Sequence, residues 1–236
     1  MLFARALIED ALVNREVTRL VASDLAFLAS LPVLLLVALP ALLKDRTFIT
    51  DRFRPADISL RLVLVAIAIG ILFRIAWWGQ LTARVSFGFL TAKNPNAVEG
   101  PIFNYSCPDV AMIALGVLVA SVLIPLIEEV SHRGYVQSYF APRGARVAIL
   151  LSAVIFTVFH PFAAWTFALT GGILFGVMYW LSRSLWAPVI THAIINVEPQ
   201  LTWRCMRLQW NPPEPSLPLW APGLAGTGIC LVAALL

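Results

Sequence analysis

Polar residues that could take part in chemistry lie within the apolar stretches of this chain. A glutamate pair and an arginine adjoin one hydrophobic run, and two of the three histidines lie in or beside the runs that follow. The residues concerned are Glu128, Glu129, Arg133, His160, His192 and Asn196. An ionisable side chain at membrane depth is costly unless it pairs or lines a cavity, so these six residues are best explained as a site.

The glutamate pair can supply both a proton acceptor and a proton donor. Positions four apart lie on one face of a helix, so Glu129 can pair with Arg133, and Glu128 shares a stripe with His132. Adjacent carboxylates in a low-dielectric setting cannot both ionise cheaply, so we expect one of them to take up a proton readily. Such a glutamate can act first as a general base towards water and then as a general acid.

Two histidines and an asparagine offer the other groups that peptide hydrolysis requires. Neutral His160 and His192 can polarise a carbonyl group or hold the attacking water. Asn196 lies one turn from His192 and provides a neutral donor for a developing oxyanion. The set therefore contains a base, a holder for water and an oxyanion donor.

The composition is that of a polytopic membrane protein. Hydrophobic residues make up 60% of the 236 residues and charged residues 13%, whereas soluble domains are less apolar and carry about twice that share of charge. The net charge of +4 is spread over loops without a dense basic run, so nucleic acid is not an expected partner. The three cysteines show no metal-binding spacing.

The apolar runs predict an all-α transmembrane bundle of about seven segments, each near the length needed to cross the hydrocarbon core. The predicted segments are 24–43, 59–79, 109–127, 146–163, 165–181, 186–198 and 218–236. Loops are expected at 80–108 and 199–217. We divide the chain into an N-terminal part (1–108, beginning with an amphipathic helix), a core (109–198) and a C-terminal part (199–236).

A proline lies close to each polar group of the predicted core. Pro125 precedes Glu128, Pro161 follows His160, and Pro188 lies four residues before His192. Because proline removes a backbone donor and bends a helix, we expect an irregularity beside each polar group. Irregular backbone at membrane depth is tolerated where it lines a cavity. Gly172 and Gly176 form a small-x-x-x-small pair that predicts close contact between helices.

Three motifs in this order resemble those of the CAAX protease and bacteriocin-processing family of intramembrane proteases. They are E-E-x-x-x-R at 128–133, F-x-x-x-H at Phe156–His160 and H-x-x-x-N at His192–Asn196. The run at 172–196 also looks like that family, and the resemblance covers roughly 110–198. It implies a glutamic-type endopeptidase with a conical catalytic cavity formed by the segments in 109–198.

The resemblance also implies a role for each motif residue. Glu128 would activate the water with help from His160, and His192 and Asn196 would stabilise the oxyanion. The residues that would shape the site are Glu129, Arg133 and Phe156.

Dependence on zinc is an alternative that the residues leave open. The family has been described as zinc-dependent, and Glu128, His160 and His192 could bind the ion with one position left for water. Asparagine is a poor zinc ligand and no H-E-x-x-H motif is present, so we favour a mechanism without a cofactor.

The sequence therefore predicts an intramembrane endopeptidase, multi-pass in the lipid bilayer of a bacterial cytoplasmic membrane. Its expected partner is a membrane-associated peptide or protein, either a CAAX-type tail or a bacterial peptide precursor or sorting tag. The alternative is a catalytically silent scaffold or immunity protein of the same fold. An ion or proton transporter is a weaker third interpretation, because intramembrane Glu and His also form proton relays.

Overall fold

The computed structural model of the protein describes residues 11, 19–86, 102–105 and 110–209. The predicted last segment at 218–236 lies outside these residues, as does nearly all of the predicted N-terminal amphipathic helix.

The described residues are almost entirely helical. The six main helices are α1 (Arg19–Lys44), α2 (Leu60–Ser86), α3 (Val110–Arg143), α4 (Ala145–Val158), α5 (Trp165–Ser182) and α6 (Trp186–Cys205). A five-residue helix, Arg46–Thr50, and a 3-10 turn, Pro55–Asp57, connect α1 to α2, and a second 3-10 turn, Phe162–Ala164, precedes α5. The all-α prediction holds for the helical bundle itself.

Three of these helices are long and apolar enough to cross a membrane, so the predicted number of seven segments is not confirmed. They are Leu60–Trp77 within α2, Val110–Arg143 and Trp165–Ser182. Two shorter apolar helices, Val21–Val33 and Ala145–Val158, accompany them. The fourth predicted segment is too long at its end, because α4 stops at Val158, three residues before Pro161.

The two predicted loops contain regular structure. Strand β1 (Ile102–Tyr105) pairs in antiparallel register with strand β2 (Met206–Gln209), so that Ile102 lies opposite Gln209. The helices on either side also run further than predicted, α2 to Ser86 and α6 to Cys205. The prediction of plain loops was wrong here because four-residue strands are too short to show a readable alternation and their pairing partner is distant in sequence.

Helix α3 is irregular on both sides of the glutamate pair. A π-helical stretch at Leu118–Leu123 precedes Pro125, and a second one at Val130–Gln137 follows Glu129. Proline cannot donate to the carbonyl of the preceding turn, which leaves that carbonyl free for a wider helical turn. The irregularity expected beside Pro125 is therefore confirmed.

The other two prolines behave differently. Pro161 lies just past the end of α4, where it starts the turn into α5. Pro188 occupies the first turn of α6, where backbone N–H groups have no helical partner in any case, so the bend that we expected there does not follow.

Close helix contacts bring the core helices together. A Cβ added at Gly172 would lie 3.1 Å from Ala153 of α4, and one added at Gly176 would lie 3.0 Å from Gln137 of α3. The close contact predicted for this glycine pair is thus confirmed. A Cβ added at Gly70 of α2 would lie 2.9 Å from Ile194 of α6. These approaches pack α5 against α3 and α4, and α6 against α2.

Candidate active site

A buried ion pair joins Glu129 and Arg133, one turn apart on α3. Arg133 Nε lies 3.1 Å from Glu129 Oε2, and both side chains are fully buried. Arg133 Nη2 donates to the carbonyl oxygen of Gly172 at 2.9 Å, which ties α3 to α5. The pairing expected from the four-residue spacing is present, and it is shielded from solvent.

The same glutamate also holds His192 of α6. His192 Nδ1 donates to Glu129 Oε1 at 2.8 Å, and the imidazole stacks on the ring of Phe175 with centroids 4.6 Å apart. A histidine whose Nδ1 donates to a carboxylate has its ring orientation and tautomer fixed, with Nε2 directed to the other side. That nitrogen lies 3.8 Å from Glu128 Oε2.

Glu128 is more exposed than Glu129 and His192. Its side chain keeps 27% of its surface exposed, whereas that of His192 keeps 7%. Glu128 Oε2 is nonetheless buried and has no hydrogen-bond partner among the described residues. His192 and His160 both lie close enough to interact with its charge. A carboxylate with one unsatisfied oxygen facing imidazoles is poised to accept a hydrogen bond from a small polar molecule.

His160 lies at the C-terminal end of α4. Its Nδ1 donates to the carbonyl oxygen of Phe156 at 2.9 Å, and Trp165 Nε1 donates to the carbonyl oxygen of His160 at 3.0 Å. In the neutral ring the proton is then on Nδ1, so Nε2 carries the lone pair and can accept a hydrogen bond. The side chain is half-buried.

Asn196 is placed one turn beyond His192, but its amide also has a structural partner. Its Nδ2 donates to the carbonyl oxygen of Ala120 at 2.9 Å, within the first π-helical stretch of α3. One of the two amide N–H groups is thus used to join α6 to α3, and one remains.

His132, the third histidine, lies beside the site and not in it. Its Nδ1 donates to the carbonyl oxygen of Glu128 at 2.9 Å, and its ring meets Phe156 edge-on. Ser152 of α4 donates to the carbonyl oxygen of His132 at 2.9 Å. The residue therefore supports the backbone of the glutamate turn.

Two phenylalanines enclose the charged pair. The guanidinium carbon of Arg133 lies 4.7 Å from the ring centre of Phe156 and 5.2 Å from that of Phe175. Phe156 was expected to shape the site and contacts it. Phe175 was given no role from the sequence, where it is one apolar residue among many in α5. Its position three residues after Gly172, on the same helix face, is the signal that could have suggested it.

The three candidate zinc ligands do not form a metal-binding group. Among the described residues, which include Glu128, His160 and His192, no three His, Cys, Asp or Glu side chains are arranged to hold a metal ion. The arrangement of this donor set therefore gives no support to the zinc alternative.

Comparison with known proteins agrees with the motifs. Residues 110–197 match the family model described as Rce1-like, type II CAAX prenyl endopeptidase. No curated protein and no solved structure matches the chain significantly. The matched residues begin at the first residue of α3 and end within α6, so they contain every residue of the candidate site.

The family is one of membrane proteases, and the three apolar helices are long enough to span a bilayer. The chain is an integral membrane protein, and the resemblance indicated by its three motifs is confirmed. Residues 110–197 are thus similar to the Rce1-like type II CAAX prenyl endopeptidases.

Proposed function

We propose that this protein is an intramembrane endopeptidase that uses a water molecule activated by Glu128. The observation that carries the proposal is the position of Glu128, whose side chain is partly exposed and whose Oε2 lies 3.8 Å from the Nε2 of a buried histidine. A carboxylate in an apolar bundle with an oxygen that accepts no hydrogen bond is costly. A role in activating water explains why such a carboxylate is placed here.

Glu128 acts as the base and then as the acid. A water molecule between Glu128 and His160 donates one hydrogen bond to the carboxylate and one to Nε2 of His160. Its oxygen attacks the carbonyl carbon of the peptide bond while its proton passes to Glu128. The tetrahedral intermediate then collapses, the C–N bond breaks, and Glu128 delivers the proton to the leaving nitrogen.

His192 and Asn196 stabilise the oxyanion in this mechanism. Because Nδ1 of His192 already donates to Glu129, Nε2 can donate only when the ring is protonated. The buried Glu129 carboxylate holds the ring in place, much as a carboxylate orients a catalytic histidine in hydrolases. The N–H group of Asn196 that Ala120 does not use provides the second donor.

Glu129 and Arg133 position these groups and do not touch the substrate. Arg133 lies against both oxygens of Glu129, and His192 donates to Oε1, so the ion pair keeps the carboxylate turned towards the histidine. The mechanism proposed here needs no metal ion.

The substrate that we propose is a membrane-associated peptide or protein. A CAAX-type tail fits the family that residues 110–197 match, and a bacterial peptide precursor or a sorting tag is the other class. The substrate would reach Glu128 through the conical cavity expected of residues 109–198, in a bacterial cytoplasmic membrane.

Cleavage by the purified protein tests the proposal. Wild type, Glu128→Ala and His192→Ala are incubated in detergent with a panel of quenched fluorescent peptides, including lipidated CAAX-type tails. We expect cleavage of at least one peptide by the wild type only. Equal cleavage by all three proteins would contradict the assignment of the site. If Glu128→Ala kept full biological function, the silent scaffold would be the better description.

A further inference from the structure

A cavity lies at the end of the bundle where α3 and α5 finish. It has a volume of about 330 Å³. Its lining residues come from the α1–α2 connection and from the ends of α3 and α5: Asp51, Arg52, Arg54, Gln137, Ser138, Ala141, Tyr179, Trp180 and Arg183. We refer to it as the basic pocket. Gln137 is nine residues past Glu128, about 13 Å along the helix, so the pocket is separate from the candidate active site.

The pocket is positively charged. Arg52, Arg54 and Arg183 line it, and among the described lining residues Asp51 is the one acidic side chain. Asp51 lies 3.6 Å from Arg54, and both side chains are more than half exposed. A surface ion pair of this kind is weak, so Arg54 can readily release Asp51 and bind another anion. The remaining excess of positive charge favours an anionic ligand.

Two of the arginines are held in place by aromatic side chains. Arg52 Nε donates to the hydroxyl of Tyr179, which also lies 3.1 Å from Ser138 Oγ. The guanidinium carbon of Arg183 lies 4.4 Å from the ring centre of Trp180. Arginines fixed in this way lose less conformational freedom when they bind a ligand.

The position of the pocket indicates what the ligand is. Val110–Arg143 and Trp165–Ser182 are two of the helices long enough to span the bilayer, and the pocket lies where both end. Tryptophan and arginine are typical of the boundary between hydrocarbon and water, and basic pockets between transmembrane helices at this level bind phospholipid headgroups. Arginine also matches the geometry of phosphate through paired hydrogen bonds.

We propose that the basic pocket binds a phosphate group, presented by the headgroup of an anionic phospholipid. The site does not depend on the proteolytic activity proposed above. Binding there would hold the connection between α1 and α2 against the ends of α3 and α5.

Native mass spectrometry of the full-length protein in detergent tests this site. Wild type, the double variant Arg54→Gln/Arg183→Gln and Arg61→Gln are titrated with phosphatidylglycerol, with phosphatidylcholine and with inorganic phosphate. Arg61 is the matched control, because it lies exposed in the first turn of α2, near the same end of the bundle, and does not line the pocket. Arg52 is left unchanged because of its bond to Tyr179.

We expect phosphatidylglycerol to bind the wild type more tightly than phosphatidylcholine. Each pocket arginine removed should weaken binding about fivefold, so the double variant loses more than a single substitution, while Arg61→Gln stays within twofold of wild type. Asp51→Asn should bind more tightly, because it removes the competing carboxylate. Competition by millimolar phosphate would identify a site for soluble phosphate esters as well. Equal binding of phosphatidylglycerol by wild type and the double variant, or an equal loss in Arg61→Gln, would overturn the proposal.

Discussion

Replacing Glu128 by glutamine is expected to lower the rate of peptide hydrolysis by about a thousandfold while leaving the fold intact. Glutamine has nearly the same shape but cannot accept a proton, and general base and acid catalysis contribute rate factors of this order. The thermal midpoint should not fall, because Glu128 Oε2 has no hydrogen-bond partner among the described residues that the substitution would break. The rate is measured under single-turnover conditions with a peptide that the wild type cleaves.

Asp57→Asn is the matched control for this substitution. It makes the same change from carboxylate to amide in the turn between α1 and α2, away from the candidate site. The control should cleave at the wild-type rate. A rate for Glu128→Gln within tenfold of wild type would show that Glu128 is not the base.

Replacing Arg133 by methionine is expected to destabilise the protein by about 3–5 kcal/mol, the usual cost of leaving one buried charge without its partner. Arg133 is fully buried and neutralises Glu129 at 3.1 Å. It also satisfies the carbonyl oxygen of Gly172. The loss is measured by thermal unfolding in detergent, and we expect activity to fall with it because His192 depends on the same carboxylate.

A second variant separates charge from packing. In Glu129→Gln/Arg133→Met the buried carboxylate is gone as well, so most of the lost stability should return. An amide oxygen at 129 can still accept from His192 Nδ1, but it lacks the negative charge of the carboxylate, so activity should stay low. Stability of Arg133→Met equal to that of wild type would mean that the ion pair does not hold the site together.

The sequence was most informative where contacts are local. The Glu129–Arg133 pair follows from their spacing on one helix, and the glycine pair at 172 and 176 predicted a close helix contact. Proline at 125 predicted an irregular helix, and π-helical stretches lie on both sides of the glutamates. Each of these depends on neighbours within one or two turns.

Contacts between distant segments could not be deduced in the same way. The bond from His192 to Glu129 joins residues 63 positions apart, and no periodicity encodes it; the family motifs suggested only that both belong to one site. The partly buried pair of Arg74 and Glu198, which joins α2 to α6, was missed for the same reason. The bend predicted at Pro188 was wrong because the effect of a proline depends on where its helix begins, and Pro188 lies in the first turn of α6.

The central claim is that Glu128 activates the water without a metal ion. The most direct test measures cleavage of a lipidated CAAX-type peptide by the purified protein in excess chelator. The wild type is compared with and without chelator, and Glu128→Gln is included in both conditions. We predict an unchanged wild-type rate in chelator and a rate about a thousandfold lower for Glu128→Gln in both conditions. Loss of wild-type activity in chelator, with recovery on addition of zinc, would contradict the mechanism, as would cleavage by Glu128→Gln at the wild-type rate.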